Sequence, residues 1–187
     1  VSAPTEVPDG VRKALALSGE QGYLRSSRNE TGRLLATLAA SRSGTLAELG
    51  TGCGVGTAWL ASGKHDDARV VTVEIEPTLA ERVRDLFAGE SDVEVIAGDW
   101  TTLATYAPFS LLFVDVRDAK ESPDSVADLI EPGGMIVLDD FTPSTTWPPI
   151  FDGRVDVLRE TWLTDERFTA VDVMVAPDAS VIVATRR

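Results

Sequence analysis

Cysteine and histidine are almost missing from this chain, which has one of each, Cys53 and His65. A lone cysteine excludes an internal disulfide framework and a zinc cluster built on cysteines. Cys53 stands among glycines, where a small side chain filling a tight loop is the simpler reading. His65 lies in the polar stretch GKHDDAR and reads as a solvated turn residue, not a catalytic base. Positive charge is also scarce, with 17 Lys and Arg against 30 Asp and Glu and a formal net charge of −13. That balance opposes a nucleic-acid partner, because such affinity comes largely from basic side chains neutralising phosphates, and it leaves a small molecule as the expected substrate. No apolar run approaches the roughly 18 to 20 residues of a membrane span. The N-terminal VSAPTEVPDG lacks the basic and apolar regions of a signal peptide, so the expected location is the cytoplasm, with no membrane partner.

What is present is ordinary for a globular protein: 187 residues, 43% hydrophobic and 25% charged. The length suits one domain, read as an N-terminal helical segment over 1–43 and a sheet core over 44–187, with no internal repeat. Residues 1–9 hold two prolines and read as a loose arm. Helical spacing follows over 10–17, through Val11 and Leu15, and over 29–40, through Leu34, Leu35 and Leu38. Beyond these, apolar strand patterns alternate with helical ones. Strands are expected around Leu46–Leu49, over 69–74, 93–98 and 111–114, and over 135–140. Helices are expected over 78–89, over 125–130 before the stop signal Glu131-Pro132-Gly133-Gly134, and over 153–164 through Val155, Val157, Leu158 and Trp162. FTAVDVMVA, PDA and SVIVATR close the chain as an antiparallel hairpin. The proline-rich stretch 141–152 is a candidate substrate lid, with Trp147 as a rigid aromatic face.

The stretch TLAELGTGCGVGTAWLAS organises the rest. A short buried strand leads into Gly50, Gly52, Gly54 and Gly56, where ligand can approach the backbone closely, and the following helix aims its free N–H groups at the same loop. A dinucleotide fingerprint fails here: counting from Gly50 puts Val55 at the third glycine position, and counting from Gly52 puts Thr57 there. No Gly-Lys-Ser or Gly-Lys-Thr ends the loop, so it is not a P-loop. Glu74 ends the second strand at the spacing where a carboxylate meets ribose hydroxyls, with Glu76 as a competitor. Asp115 ends the fourth strand, where ligands gather in open α/β sheets.

Glu48 followed by G-x-G-x-G resembles motif I of the class I S-adenosylmethionine-dependent methyltransferases. The resemblance implies one Rossmann-like α/β domain, with a seven-stranded, mostly parallel sheet, helices on both faces and a C-terminal antiparallel hairpin. It implies S-adenosylmethionine as cofactor, with Glu48 near its ammonium end, Gly50, Gly52 and Gly54 beneath it, Glu74 on the ribose, Asp99 accepting from the adenine amino group and Trp100 over the ring. Two further stretches are similar to the O-methyltransferases of the catechol and caffeoyl-coenzyme A type. One is NETGRLLATLAASRSGTLAELG, whose Thr31-Gly32 pair starts a helix lining the cofactor pocket; the other is the PGG turn before an apolar strand ending in Asp. From 29 onward the similarity implies methyl transfer to a hydroxyl of a small aromatic or polyhydroxyl acceptor. It also implies Mg²⁺ held by Asp115, Asp139 and Asp140, with Asp140 where the family has asparagine. The catalytic assignment is Asp115 with Lys120. The family's lysine stands three residues past the acid, where this chain has Asp118; Lys120 is displaced by two positions, and Arg117 is too basic to accept a proton.

Two other functions fit the same cradle. An aminopropyltransferase of the spermidine-synthase kind would use the acids for a polyamine, although the chain lacks that family's N-terminal β-region. A non-catalytic S-adenosylmethionine-binding module needs neither metal nor base. A homodimer is the remaining expectation about partners.

Overall fold

The computed structural model describes residues 6–187, so the first five residues of the expected arm lie outside it. Asp9 already opens α1 (Asp9–Gln21), which ends at Gly22 in the left-handed conformation, and the chain then crosses to α2 (Asn29–Ala39). The alternating part follows as β1 (Thr45–Leu49), α3 (Val55–Gly63), β2 (Arg69–Glu74), α4 (Pro77–Leu86) and β3 (Val93–Ala97). A 3₁₀ turn (Trp100–Tyr106) leads to β4 (Phe109–Val114), α5 (Arg117–Lys120), α6 (Pro123–Asp128) and β5 (Ile130–Phe141). Then come β6 (Ile150–Phe151), β7 (Arg154–Val155), α7 (Val157–Thr164), β8 (Phe168–Ala176) and β9 (Ala179–Arg186).

The strands form one seven-stranded sheet in the order β3-β2-β1-β4-β5-β9-β8, while β6 and β7 pair separately. Strands β3 to β5 run parallel, and β9 lies antiparallel between β5 and β8. Every residue of β4 is buried, which is why its sequence shows a continuous apolar run and no alternation. Side chains still alternate between faces. Leu111 and Phe113 join Leu35, Trp59 and Val83 under α2, α3 and α4, whereas Leu112 and Val114 join Leu103, Val126 and Trp162 on the other face. Helices α2 and α3 approach so closely that a Cβ on Gly32 would fall 2.1 Å from the Trp59 ring.

Because the chain builds β1, β2 and β3 outward and then returns to β4 on the other side of β1, the direction of winding reverses between β1 and β4. A crevice opens beyond the carboxyl ends of strands at such a point.

Of the boundaries that differ from expectation, two change what the residues do. The helix over 125–130 stops at Asp128, and Glu131-Pro132-Gly133-Gly134 belongs to β5: Ile130 already pairs with Phe109, and the register then jumps to Met135 against Leu111. The last helix starts at Val157 instead of 153, because Arg154 and Val155 are taken into the β6–β7 hairpin and Asp156 caps the helix through Arg159 N–H at 3.1 Å. Val155 and Val157 are therefore exposed, and Trp162 is the buried anchor of α7. Among the described residues no helix is long and apolar enough to cross a membrane.

Candidate active site

The glycine loop is held from the end of β2 and by its own turn. Gly50 and Thr51 N–H donate to the Val73 carbonyl at 3.1 and 3.0 Å, and Gly54 N–H donates to Thr51 O at 2.8 Å. Glu74 accepts from Gly52 N–H at 2.8 Å on one carboxylate oxygen and from Glu76 N–H at 3.0 Å on the other. Each oxygen keeps a lone pair free. Gly52 has a φ of 52°, and a Cβ there would lie 3.0 Å from the Tyr23 hydroxyl, so the α1–α2 connection is laid over the loop. That connection is tied down by Ser18 Oγ to Ser26 Oγ at 2.7 Å and by a two-pronged Arg28–Asp178 pair at 2.9 Å.

Glu48 lies beneath the loop, 1% exposed, and borders none of the cavities described below. Its carboxyl bonds the Thr57 hydroxyl and, at 3.1 Å, the Thr72 hydroxyl, and a Cβ on Gly56 would meet its Oε1 at 2.1 Å. β1 alternation turns position 48 toward the α3 face, so Glu48 meets Thr57 and Thr72, and any action on a ligand's ammonium end would run through the loop above it. Burial pushes this carboxyl up to about 8, with the two threonine hydroxyls opposing the shift.

Two larger cavities and one small one meet above the loop. A cavity of about 510 Å³ runs along Gly50, Gly52, Glu74, Asp99 and Trp100 and reaches Asp115 and Asp118. Asp99 is the N-cap of the 3₁₀ turn and gives one oxygen to Thr101, whose bonds hold its carboxyl below the usual range. Trp100 is half-buried at the cavity wall. Glu76 also lines this space, but it caps α4 through Thr78 N–H at 3.3 Å. A second cavity of about 590 Å³ is lined by Arg25, Arg28, Arg117, Asp115, Asp139 and Asp140 among others. Between them a pinch of about 10 Å³ is enclosed by Tyr23, Ser26, Ser27, Gly52 and Cys53. Tyr23, Arg25 and Asp115 border all three. Of the proposed lid, Phe141 and Thr142 reach the second cavity, while Trp147 is 64% exposed.

Asp115, Asp139 and Asp140 each offer a carboxylate oxygen within 4.8 Å of the others. Successive strand residues should point to opposite sides. Here the β5–β9 register shifts between Leu138 and Phe141, and Asp140 adopts a φ of 64°, so the bulge turns both acids to the same edge. Burial raises the Asp115 carboxyl, the Asp140 charge adds to it and Lys120 opposes it; burial also raises Asp139, whose Oδ1 accepts from Thr31 Oγ1 at 3.4 Å. Lys120, 5% exposed, returns to this group from the end of α5, with Nζ 3.1 Å from Asp140 and 3.8 Å from Asp115. Its carbonyl accepts from Trp162 Nε1 at 2.8 Å, which fixes the turn. Three hard carboxylate oxygens at this spacing fit the donor set Mg²⁺ takes, and their mutual repulsion, offset by a single ammonium, favours a cation.

Sequence reasoning missed Tyr23, Arg25, Ser26 and Ser27, which lie between two helices in a stretch without apolar periodicity. An aromatic and an arginine in so short a connection were the available signal.

A glycine loop over a winding reversal is how Rossmann-like α/β domains hold a nucleotide-like ligand, and that class is what the fold defines. Within it, residues 47–141 match the family model described as a methyltransferase domain, and the chain belongs to that family. It is 31% identical over 160 residues, 73% of this chain and 72% of the relative, to a Mycobacterium avium (strain 104) protein named provisionally as an O-methyltransferase. It is 38% identical over 118 residues to the "Probable O-methyltransferase Rv1220c" of Mycobacterium tuberculosis, covering 57% of this chain and 52% of that one. The chain thus spans about half the length of such relatives. The O-methyltransferase TomG of Streptomyces achromogenes, solved with SAM, superposes with a TM-score of 0.77 at 24% identity over 97% of this chain and 92% of its own, a likeness of fold.

Proposed function

We propose that this protein transfers the methyl group of S-adenosylmethionine to a hydroxyl oxygen of a small aromatic or polyhydroxyl acceptor. The observation that carries this reading is the shared wall at Asp115, where a cavity along the glycine loop meets a cavity floored by three acids. The names of the mycobacterial relatives and the SAM complex of TomG support it.

In this reading Glu74 uses its free lone pairs for the ribose hydroxyls, the oxygen of Asp99 not committed to Thr101 accepts from the adenine amino group, and Trp100 covers the ring. Gly50 and Gly52 let the methionine end lie against backbone, Gly54 turns the chain into α3 with its open side against Val83 and Phe87, and Glu48 acts from below by holding the loop through Thr57 and Thr72. The transfer is an in-line displacement: a bond forms between acceptor oxygen and methyl carbon as the carbon–sulfonium bond breaks, and the hydroxyl proton leaves. Asp115, Asp139 and Asp140 would hold Mg²⁺, which when bound lowers the pKa of the acceptor hydroxyl. The departing proton enters the Asp115–Lys120 group, in which Lys120 balances carboxylate charge and fixes Asp140. The aminopropyltransferase alternative has the acids of the acceptor cavity in its favour, whereas the names of the mycobacterial relatives favour methyl transfer.

Incubation with methyl-labelled S-adenosylmethionine and a panel of catechols, polyols and amines tests this. Labelled O-methyl product that is lost in EDTA and restored by Mg²⁺ is expected. Full turnover in excess EDTA removes the metal from the proposal, and failure to bind S-adenosylhomocysteine removes the methyltransferase reading.

A further inference from the structure

The acceptor cavity carries both signs of charge, and the pairing of its arginines is uneven. Arg28 is engaged by both oxygens of Asp178, and Arg117 Nε donates to Glu121 at 2.8 Å. Arg25 makes no ion pair or side-chain hydrogen bond among the described residues, although it borders all three cavities and the chain carries a net charge of −13. An unpaired guanidinium at the junction of donor and acceptor spaces presents a planar fork of donors that matches a carboxylate.

The methionine carboxylate of the cofactor has other donors. The first turn of α3, a nine-residue helix, leaves its N–H groups free toward the glycine loop and adds the positive end of its dipole. The acceptor space has the opposite problem. Asp115, Asp139 and Asp140 would repel an anionic acceptor unless a cation away from them received its charge, and Arg25 is placed on the facing α1–α2 connection to do so.

We propose that Arg25 is a specificity-determining residue that selects acceptors bearing a carboxylate, seating that group on its guanidinium while the hydroxyl to be methylated faces the acids. This rests on the O-methyltransferase reading above. The acceptor class is therefore a hydroxylated aromatic acid rather than a neutral diol.

The test compares protocatechuate with catechol, which share the diol and differ by the carboxylate. Wild type should favour protocatechuate by about tenfold in kcat/KM, chiefly through KM, as expected for a charge-assisted contact at a solvent-open site. Arg25→Gln should collapse that ratio to near one, and Arg25→Lys should retain part of it, because lysine keeps the charge without the fork. The dissociation constant of S-adenosylhomocysteine, measured by calorimetry, should stay within about twofold in both variants, which also verifies that they fold. Equal kcat/KM for the two acceptors in wild type, or a preference unchanged by Arg25→Gln, overturns the proposal and leaves methyl transfer standing. Weakened S-adenosylhomocysteine binding with an unchanged preference reassigns Arg25 to the cofactor and also overturns it. If neither acceptor turns over, protocatechuate is titrated into the S-adenosylhomocysteine complex: binding lost in Arg25→Gln supports the proposal, and binding indifferent to the variant, or none, sinks it. A wild-type protein that does not bind S-adenosylhomocysteine fails the methyltransferase reading itself.

Discussion

Glu48 and Glu74 flank the glycine loop from opposite sides, and their surroundings divide the labour between them. Glu74 faces the crevice with two backbone N–H donors and spare lone pairs, whereas Glu48 is enclosed with the Thr57 and Thr72 hydroxyls and the Thr57 backbone as its polar company. Enclosure raises the Glu48 carboxyl from an ordinary 4.5 to about 8. The unfolded chain loses this proton at the lower value while the folded protein keeps it to the higher one. The stability linked to this group is therefore complete below 4.5 and is lost progressively as pH rises toward about 8. Glu48→Gln, which keeps the shape and cannot ionise, should flatten that part of the dependence. Melting temperatures followed from about pH 5 to about pH 9 should converge or cross in favour of the variant at the alkaline end. Parallel curves for the two proteins would show that Glu48 ionises normally.

At the scale of the element, the bulge in β5 does what an unbroken strand could not. It brings Asp139 and Asp140 to one edge by placing Asp140 at a φ of 64°, a region where Asp and Asn are tolerated and β-branched residues are strained. The Asp140 side chain is 75% exposed, so little packing is lost when it is replaced. Asp140→Asn should keep the bulge and nearly all the stability, and Asp140→Val should cost about 1 to 3 kcal/mol from backbone strain alone. Chemical denaturation of both variants checks this; equal stability would mean that the bulge relaxes without the polar residue. Helix α5 is the complementary device. One helical turn, pinned by Trp162 on the Lys120 carbonyl, brings a lysine five positions beyond Asp115 to within 3.8 Å of it.

For the molecule as a whole, a formal charge of −13 and three acids at one sheet edge lead to a prediction about cations. A ligand that binds only the folded form stabilises it by about 2.7 kcal/mol at a hundred times its dissociation constant. Mg²⁺ should therefore raise the melting temperature of wild type above that seen in NaCl of equal ionic strength, a control for general screening of the excess negative charge. Asp139→Asn should lose the difference. A rise of equal size in both proteins would assign the effect to screening and count against a site at Asp115, Asp139 and Asp140.

Much of this architecture was legible in local pattern. Continuous apolar runs marked the buried parallel strands, glycines followed by a helix start marked the ligand loop, and acids at strand ends marked the crevice, because burial and turn chemistry write themselves into neighbouring residues. The sequence by itself thus determined the alternation of strands and helices, the position of the loop and the acids available at the sheet edge. Tertiary structure decided which of those residues meet. Glu48 was turned under the loop by strand alternation, Lys120 was returned to the acids by α5 and Trp162, and Asp139 and Asp140 were put on one side by a register shift against β9. Tyr23 was laid over Gly52, and Arg25 brought to the wall of the same cavities, by a connection tied at Ser18, Ser26 and Asp178. Each of these depends on contacts between segments far apart in the chain, and local periodicity carries no record of them.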